Sequence, residues 1–259
     1  MKKDLNKSVL KCALLVALFV FLVAAKAPPS GAVLCQKMFI PAYFYPGSLW
    51  TQAIAAAPKV DVMIMNPASG PGTSQNSDYV TAVNNAKAAG IKVIGYVHTS
   101  YGARDINVVK GEVDLYKQWY GVSGVFLDEV SSGAAALPYY QNVSAYIRST
   151  NGTYVALNPG VVPDQGYITL GDTTVIFEGT YNTYKTWSAP SWVTSYPASK
   201  FTHLVYATST KNNMKSAITR SKNNRAGYVY VTNDVLPNPW DTLPSAYWSA
   251  ELTEINNGC

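Results

Sequence analysis

VDVMIMNP (residues 60–67), DYVTAVNNAKAAG (78–90) and KVIGYVHT (92–99) follow one another, the first two separated by a Gly- and Ser-rich spacer and the last two by a single residue. The outer segments are nearly continuous apolar runs, the pattern of parallel strands covered on both faces. The middle segment brings Val80, Val83, Ala86 and Ala89 toward one helical face, with Gly90 as its terminator. The passage therefore reads as a strand-helix-strand unit.

Working outward, the same alternation recurs along the chain. Further apolar runs, rich in β-forming residues, lie at 38–45, 124–131, 154–160, 174–179, 201–208 and 226–234. Helix-compatible segments fit 105–119, 137–149, 211–222 and 244–256. Eight such runs in 259 residues predict an α/β fold made of a single (β/α)8 TIM barrel, spanning 35–259. An open doubly wound sheet is the competing layout, but no G-x-G-x-x-G follows the first strand. No linker or low-complexity block divides this region.

The first residues read differently. Lys2, Lys3, Lys7 and Lys11 precede the apolar run ALLVALFVFLVAA at 13–25. A basic start, a short apolar stretch and small residues at its exit are the pattern of a secretory signal peptide, assigned to 1–27. The run falls short of the roughly 20 residues that span a bilayer, so no stable membrane insertion is expected once it is removed. Without the leader, Lys and Arg fall from 20 to 15 and Asp and Glu from 15 to 14, so the formal charge drops from +5 to +1. Nothing in that balance points to nucleic acid. Cys35 and Cys259 are the cysteines left, and in an oxidising compartment they point to one disulfide tying the two ends of the barrel together. Asn142 and Asn151 stand in N-glycosylation sequons, which fits a secreted, extracellular or cell-wall protein.

In such a barrel the chemistry sits at the carboxyl ends of the strands. The polar residues ending the apolar runs are Tyr43, Tyr45, Asn66, His98, Asp128, Glu129, Asn158, Glu178, Tyr206, Asn233 and Asp234. Asp128 and Glu129 are neighbours in GVFLDEVSS (124–132). Strand alternation keeps both from pointing inward while the strand stays regular, so one is expected in the cleft and the other beside it. Glu178 follows VIF much as Asp128 follows VFL. Carboxylates brought together raise one another's pKa, which allows a protonated acid to stand beside an ionised one, the requirement of glycoside hydrolysis. Tyr181, Tyr184, Trp187 and Trp240 are aromatic candidates for stacking on sugar faces. With no C-x-x-C, H-E-x-x-H, G-x-S-x-G or G-x-x-x-x-G-K, no metal or cofactor is expected.

The chain resembles the spherulin-4-like family (spherulation-specific family 4), on IPAYFYP (40–46), VDVMIMNPASGPG, VIGYVHTSYG, GVFLDEVSS, ALNPG and VIFEGTY. The resemblance implies a (β/α)8 barrel and an endo-acting hydrolase of α-1,4-linked galactosamine or N-acetylgalactosamine polysaccharide. It maps acidic residues onto Asp128, Glu129 and Glu178. Asp128 and Glu178 are then the expected cleft-facing pair, with Glu129 the third member. Tyr43, Tyr45, Asn66, His98, Asn158, Tyr181, Tyr206 and Asp234 are the expected substrate contacts, in a monomer without cofactor. The alternative is a non-catalytic carbohydrate-binding or cell-wall protein on the same scaffold.

Overall fold

The computed structural model describes residues 34–150, 154–257 and 259. The expected leader at 1–27 and the sequon residue Asn151 lie outside the described residues. Asn142 is exposed on a helix.

Eight parallel strands close into a barrel in chain order: β1 Lys37–Ala42, β2 Val60–Met65, β3 Lys92–His98, β4 Gly124–Asp128, β5 Tyr154–Leu157, β6 Thr173–Thr180, β7 Phe201–Tyr206 and β8 Tyr228–Val231. The helices are α1 Ser48–Ile54, α2 Ser77–Ala88, α3 Ile106–Tyr120, α4 Leu137–Thr150, α5 Tyr181–Tyr184, α6 Lys211–Asn223 and α7 Trp248–Glu254. The expected helices recur in α2, α3, α4, α6 and α7. After β5 the connection holds only a 3-10 turn, Gln165–Thr169, and after β6 only α5 and two more such turns.

The buried face of α2 is Tyr79, Ala82, Val83 and Ala86, not the expected row of Val80, Val83, Ala86 and Ala89. A row spaced by threes drifts about 60° per step around a helix of 3.6 residues per turn, so its ends leave the sheet. The spacing i, i+3, i+4, i+7 stays on it. Asn76 starts the helix by accepting from the Asp78 and Tyr79 N–H groups.

Inside the barrel, Phe39 packs against Phe126 and Tyr228, with ring centroids 6.0 and 5.9 Å apart. Above them Tyr96 meets Phe126 at 6.2 Å and Tyr43 at 5.5 Å, which forms an aromatic floor beneath the mouth. Cys35, just before β1, is joined to Cys259 by a disulfide, with Cα atoms 5.7 Å apart. Among the described residues no helix is long and apolar enough to cross a membrane.

Candidate active site

β4 stops at Asp128, and Glu129 leaves it with φ of 52°. That left-handed turn settles the parity question: alternation no longer applies at Glu129, so both neighbours line the same cavity. The sequence expectation that only one would reach the cleft is corrected here. The turn is held by Thr99, whose hydroxyl lies 2.9 Å from the carbonyl oxygens of both Asp128 and Glu129, and by the Val130 N–H, which donates to the Asn158 carbonyl at 3.0 Å.

The cavity has a volume of about 770 Å³ and occupies the carboxyl-terminal mouth of the barrel. Tyr43, Asn66, Asp128, Asn158, Glu178 and Tyr206 line it as expected, Glu129 lines it with them, and Trp240 closes one wall. Three carboxyl groups and no Lys, Arg or His stand among its lining residues.

Asn158 organises the centre. Its Nδ2 donates to Asp128 Oδ1 at 2.8 Å and to Glu178 Oε2 at 2.7 Å. One nitrogen shared by two oxygens limits their separation to the sum of the two bonds, 5.5 Å. The amide is itself fixed, because Asn158 Oδ1 accepts from the Gly160 N–H at 2.9 Å, while the Gly160 carbonyl accepts from the Glu178 N–H at 2.9 Å. Gly160 has φ of +66°, so the tight turn after Pro159 uses the one residue type that adopts this conformation without strain.

Burial pushes the Glu178 carboxyl up to about 7; the Asp128 charge adds to the shift, while Asn158 and the Trp240 side chain oppose it. Burial also raises Asp128, but hydrogen bonds from Tyr96, the Glu129 backbone and Asn158 favour its charge. Both carboxyl groups are thus raised by burial, Glu178 into the neutral range, while Asp128 carries the larger set of hydrogen bonds that favour its charge. Tyr43, whose hydroxyl is pushed well up by burial and then by the charges of Asp128 and Glu178, stays a neutral phenol beside them. Among the described residues there is no cluster of His, Cys, Asp and Glu suited to a metal ion.

Four expected contacts are not among the residues lining this cavity. Tyr45 turns outward, 57% exposed, and its hydroxyl donates to Asp78 at 2.7 Å. The His98 ring stands beside Arg104, its Nδ1 3.4 Å from the guanidinium, which also donates to the His98 carbonyl at 2.9 Å. Asp234 caps the turn after β8 by accepting from the Val235 N–H at 2.8 Å. Tyr181 lines a separate depression with Lys185 and residues of α6. Tyr184 and Trp187 pack against Phe177 and the buried His203 outside the barrel, so neither reaches the mouth. Closeness in sequence to Glu178 misled there, because α5 starts immediately and carries the chain over the outer wall. Tyr96, which the sequence reading passed over, could have been found by stepping two residues back from His98 along the strand's inward face.

A closed parallel barrel with carboxyl groups gathered at its mouth is the architecture of many glycoside hydrolases. The profile of spherulation-specific family 4 matches residues 37–255, and the chain belongs to that family. Spherulin-4 of Physarum polycephalum is 40% identical over 236 residues, covering 85% of this chain and 70% of that protein. Aspergillus clavatus Sph3, solved in complex with GalNAc, matches with a TM-score of 0.74 at 23% identity, over 87% of this chain and 98% of that one. A chitinase from Chromobacterium violaceum matches with a TM-score of 0.54 at 10% identity, over 84% of this chain and 99% of its own. At these identities the structural likenesses establish the fold, a closed parallel (β/α)8 barrel.

Proposed function

We propose that this protein is a secreted endo-acting glycoside hydrolase that cleaves α-1,4-linked galactosamine or N-acetylgalactosamine polysaccharide with retention of configuration. The observation that carries the reading is the Asn158 bridge between Asp128 and Glu178. It holds one oxygen of Asp128 within 5.5 Å of one oxygen of Glu178, which favours the close spacing of a nucleophile and an acid/base over the wider gap that admits a water.

Glu178, protonated near neutrality, donates its proton to the glycosidic oxygen as the bond to the anomeric carbon breaks. Asp128 attacks that carbon as a carboxylate and forms a glycosyl-enzyme ester. Glu178, now ionised, takes a proton from water, whose oxygen displaces Asp128 and restores both groups. Asn158 donates to both carboxyl groups at the start, so their geometry is set before substrate arrives. The choice of galactosaminide draws on family membership and on the sugar bound to Sph3. Secretion is supported by the disulfide, which persists in oxidising compartments.

The test is reducing-end release from galactosamine and N-acetylgalactosamine polymers by the wild type and by Glu178→Gln. Release by the wild type alone supports the reading. Saturable binding without cleavage by either would replace it with the carbohydrate-binding alternative.

A further inference from the structure

The turn after β3 is more heavily braced than a loop of its length needs to be. Ser100 and Tyr101 both have left-handed backbones, with φ of 47° and 56°, ahead of Gly102 at 86°. Two consecutive non-glycine residues in that region carry a conformational cost of about 1 kcal/mol or more each. The turn is held nonetheless. The Tyr101 N–H donates to the Glu129 carbonyl at 2.7 Å, and the Ser100 N–H donates to Glu129 Oε2 at 3.2 Å. Tyr139 donates its hydroxyl to the Arg104 carbonyl, and Arg104 is paired with Glu112.

What this bracing presents is the Tyr101 ring. It lines the mouth cavity yet is 67% exposed. Among the described residues it stacks on no other ring and its hydroxyl has no partner. Two other exposed apolar side chains, Val161 and Leu236, stand on the rim of the same cavity, and no cationic side chain lines it. A strained backbone held rigid beneath an unpartnered aromatic surface is arranged for a ligand rather than for the fold.

We propose that Tyr101 is the stacking platform of an outer sugar subsite, taking the apolar face of a pyranose unit beyond those at Asp128 and Glu178. Glu129 is then a positioning residue: it holds the turn that aims the ring, through its carbonyl and one carboxylate oxygen. The assignment rests on the glycosidase reading and gives it a chain-length preference, since only a substrate with several units reaches from the carboxyl pair to the rim.

The experiment measures binding of free N-acetylgalactosamine and a length series of α-1,4-linked galactosaminide oligosaccharides to Glu178→Gln, alone and combined with Tyr101→Ala or Tyr101→Phe. Affinity should rise with length. Tyr101→Ala should weaken the longest chains by about tenfold, near the upper end for an aromatic contact, and leave the monosaccharide unaffected. Tyr101→Phe should retain the gain, because it keeps the ring. If affinity rises with length equally in the Ala variant, the platform is wrong and the carboxyl site stands. If no chain of any length binds, the glycosidase reading falls and takes the platform with it. Melting temperatures of the two variants, expected to be close, separate lost stacking from lost fold.

Discussion

Glu178 is a carboxylic acid kept neutral by its surroundings, and that has consequences for both rate and stability. Burial lifts it from 4.5 to about 7, so between those values the folded protein holds a proton that the unfolded chain releases. Stability from this group is therefore lost as pH rises through that window, by on the order of 3 kcal/mol in all. Activity should fall over the upper part of the same range, as the general acid ionises. Glu178→Gln removes the ionisation while keeping the shape and an acceptor for Asn158. At pH 8 its melting temperature should exceed that of the wild type by roughly 5 °C or more, while hydrolysis is abolished. Thermal scans at pH 5 and pH 8 check this, with a smaller gap expected at pH 5.

At this scale much of the site was legible before any coordinates. Tyr43, Asn66, Asp128, Asn158, Glu178 and Tyr206 each end an apolar run, and strand ends converge in a barrel. Glu129 defeated the parity argument because its left-handed backbone carries no mark in composition. Tyr101 was hidden for the same reason, since a non-glycine residue in that conformation is held by contacts from elsewhere in the chain. His98 ended its strand as expected, but its ring stands beside Arg104, six residues on, with Nδ1 3.4 Å from the guanidinium.

Among the elements, α7 has a role that its short length conceals. β1 and β8 pair only through Lys37 with Tyr228 and Met38 with Val229, so the barrel seam opens above them. The Val231 N–H, beyond the last residue of β8 that pairs with β1, donates to Glu251 Oε1 at 2.9 Å. Glu251 is fully buried, and burial pushes its carboxyl well up, so it acts as a neutral acid rather than a charge. Glu251→Gln should therefore be tolerated. Glu251→Ala should cost about 2 to 4 kcal/mol, from the orphaned N–H and the cavity together. Denaturant melts of the two variants read this difference directly. Nothing in WSAELTE marks Glu251 for this seam, since polar residues also stand at Ser249, Thr253 and Glu254 of the same short helix. The single-turn α5 is unmarked as well, because an apolar periodicity of four residues is too short to separate a helix from a loop.

For the molecule as a whole, closure is both the fold and its weak point. A barrel brings first and last strands together, so its chain ends meet, and the disulfide between Cys35 and Cys259 encloses almost the whole described chain. Replacing both cysteines by serine should lower stability by about 2 to 4 kcal/mol. It should leave the activity of the folded protein intact, because Cys35 and Cys259 do not line the mouth cavity. Reduction of the wild type should shift its melting temperature to that of the double variant and leave the variant unmoved.

The central claim is that Asp128 and Glu178, held together by Asn158, cleave a glycosidic bond in two displacements. Proton NMR that follows the anomers released from an α-1,4-linked galactosaminide polymer tests it most directly. The α anomer should appear first and then mutarotate, with Glu178→Gln silent. First appearance of the β anomer, or equal release by the variant, would contradict the account.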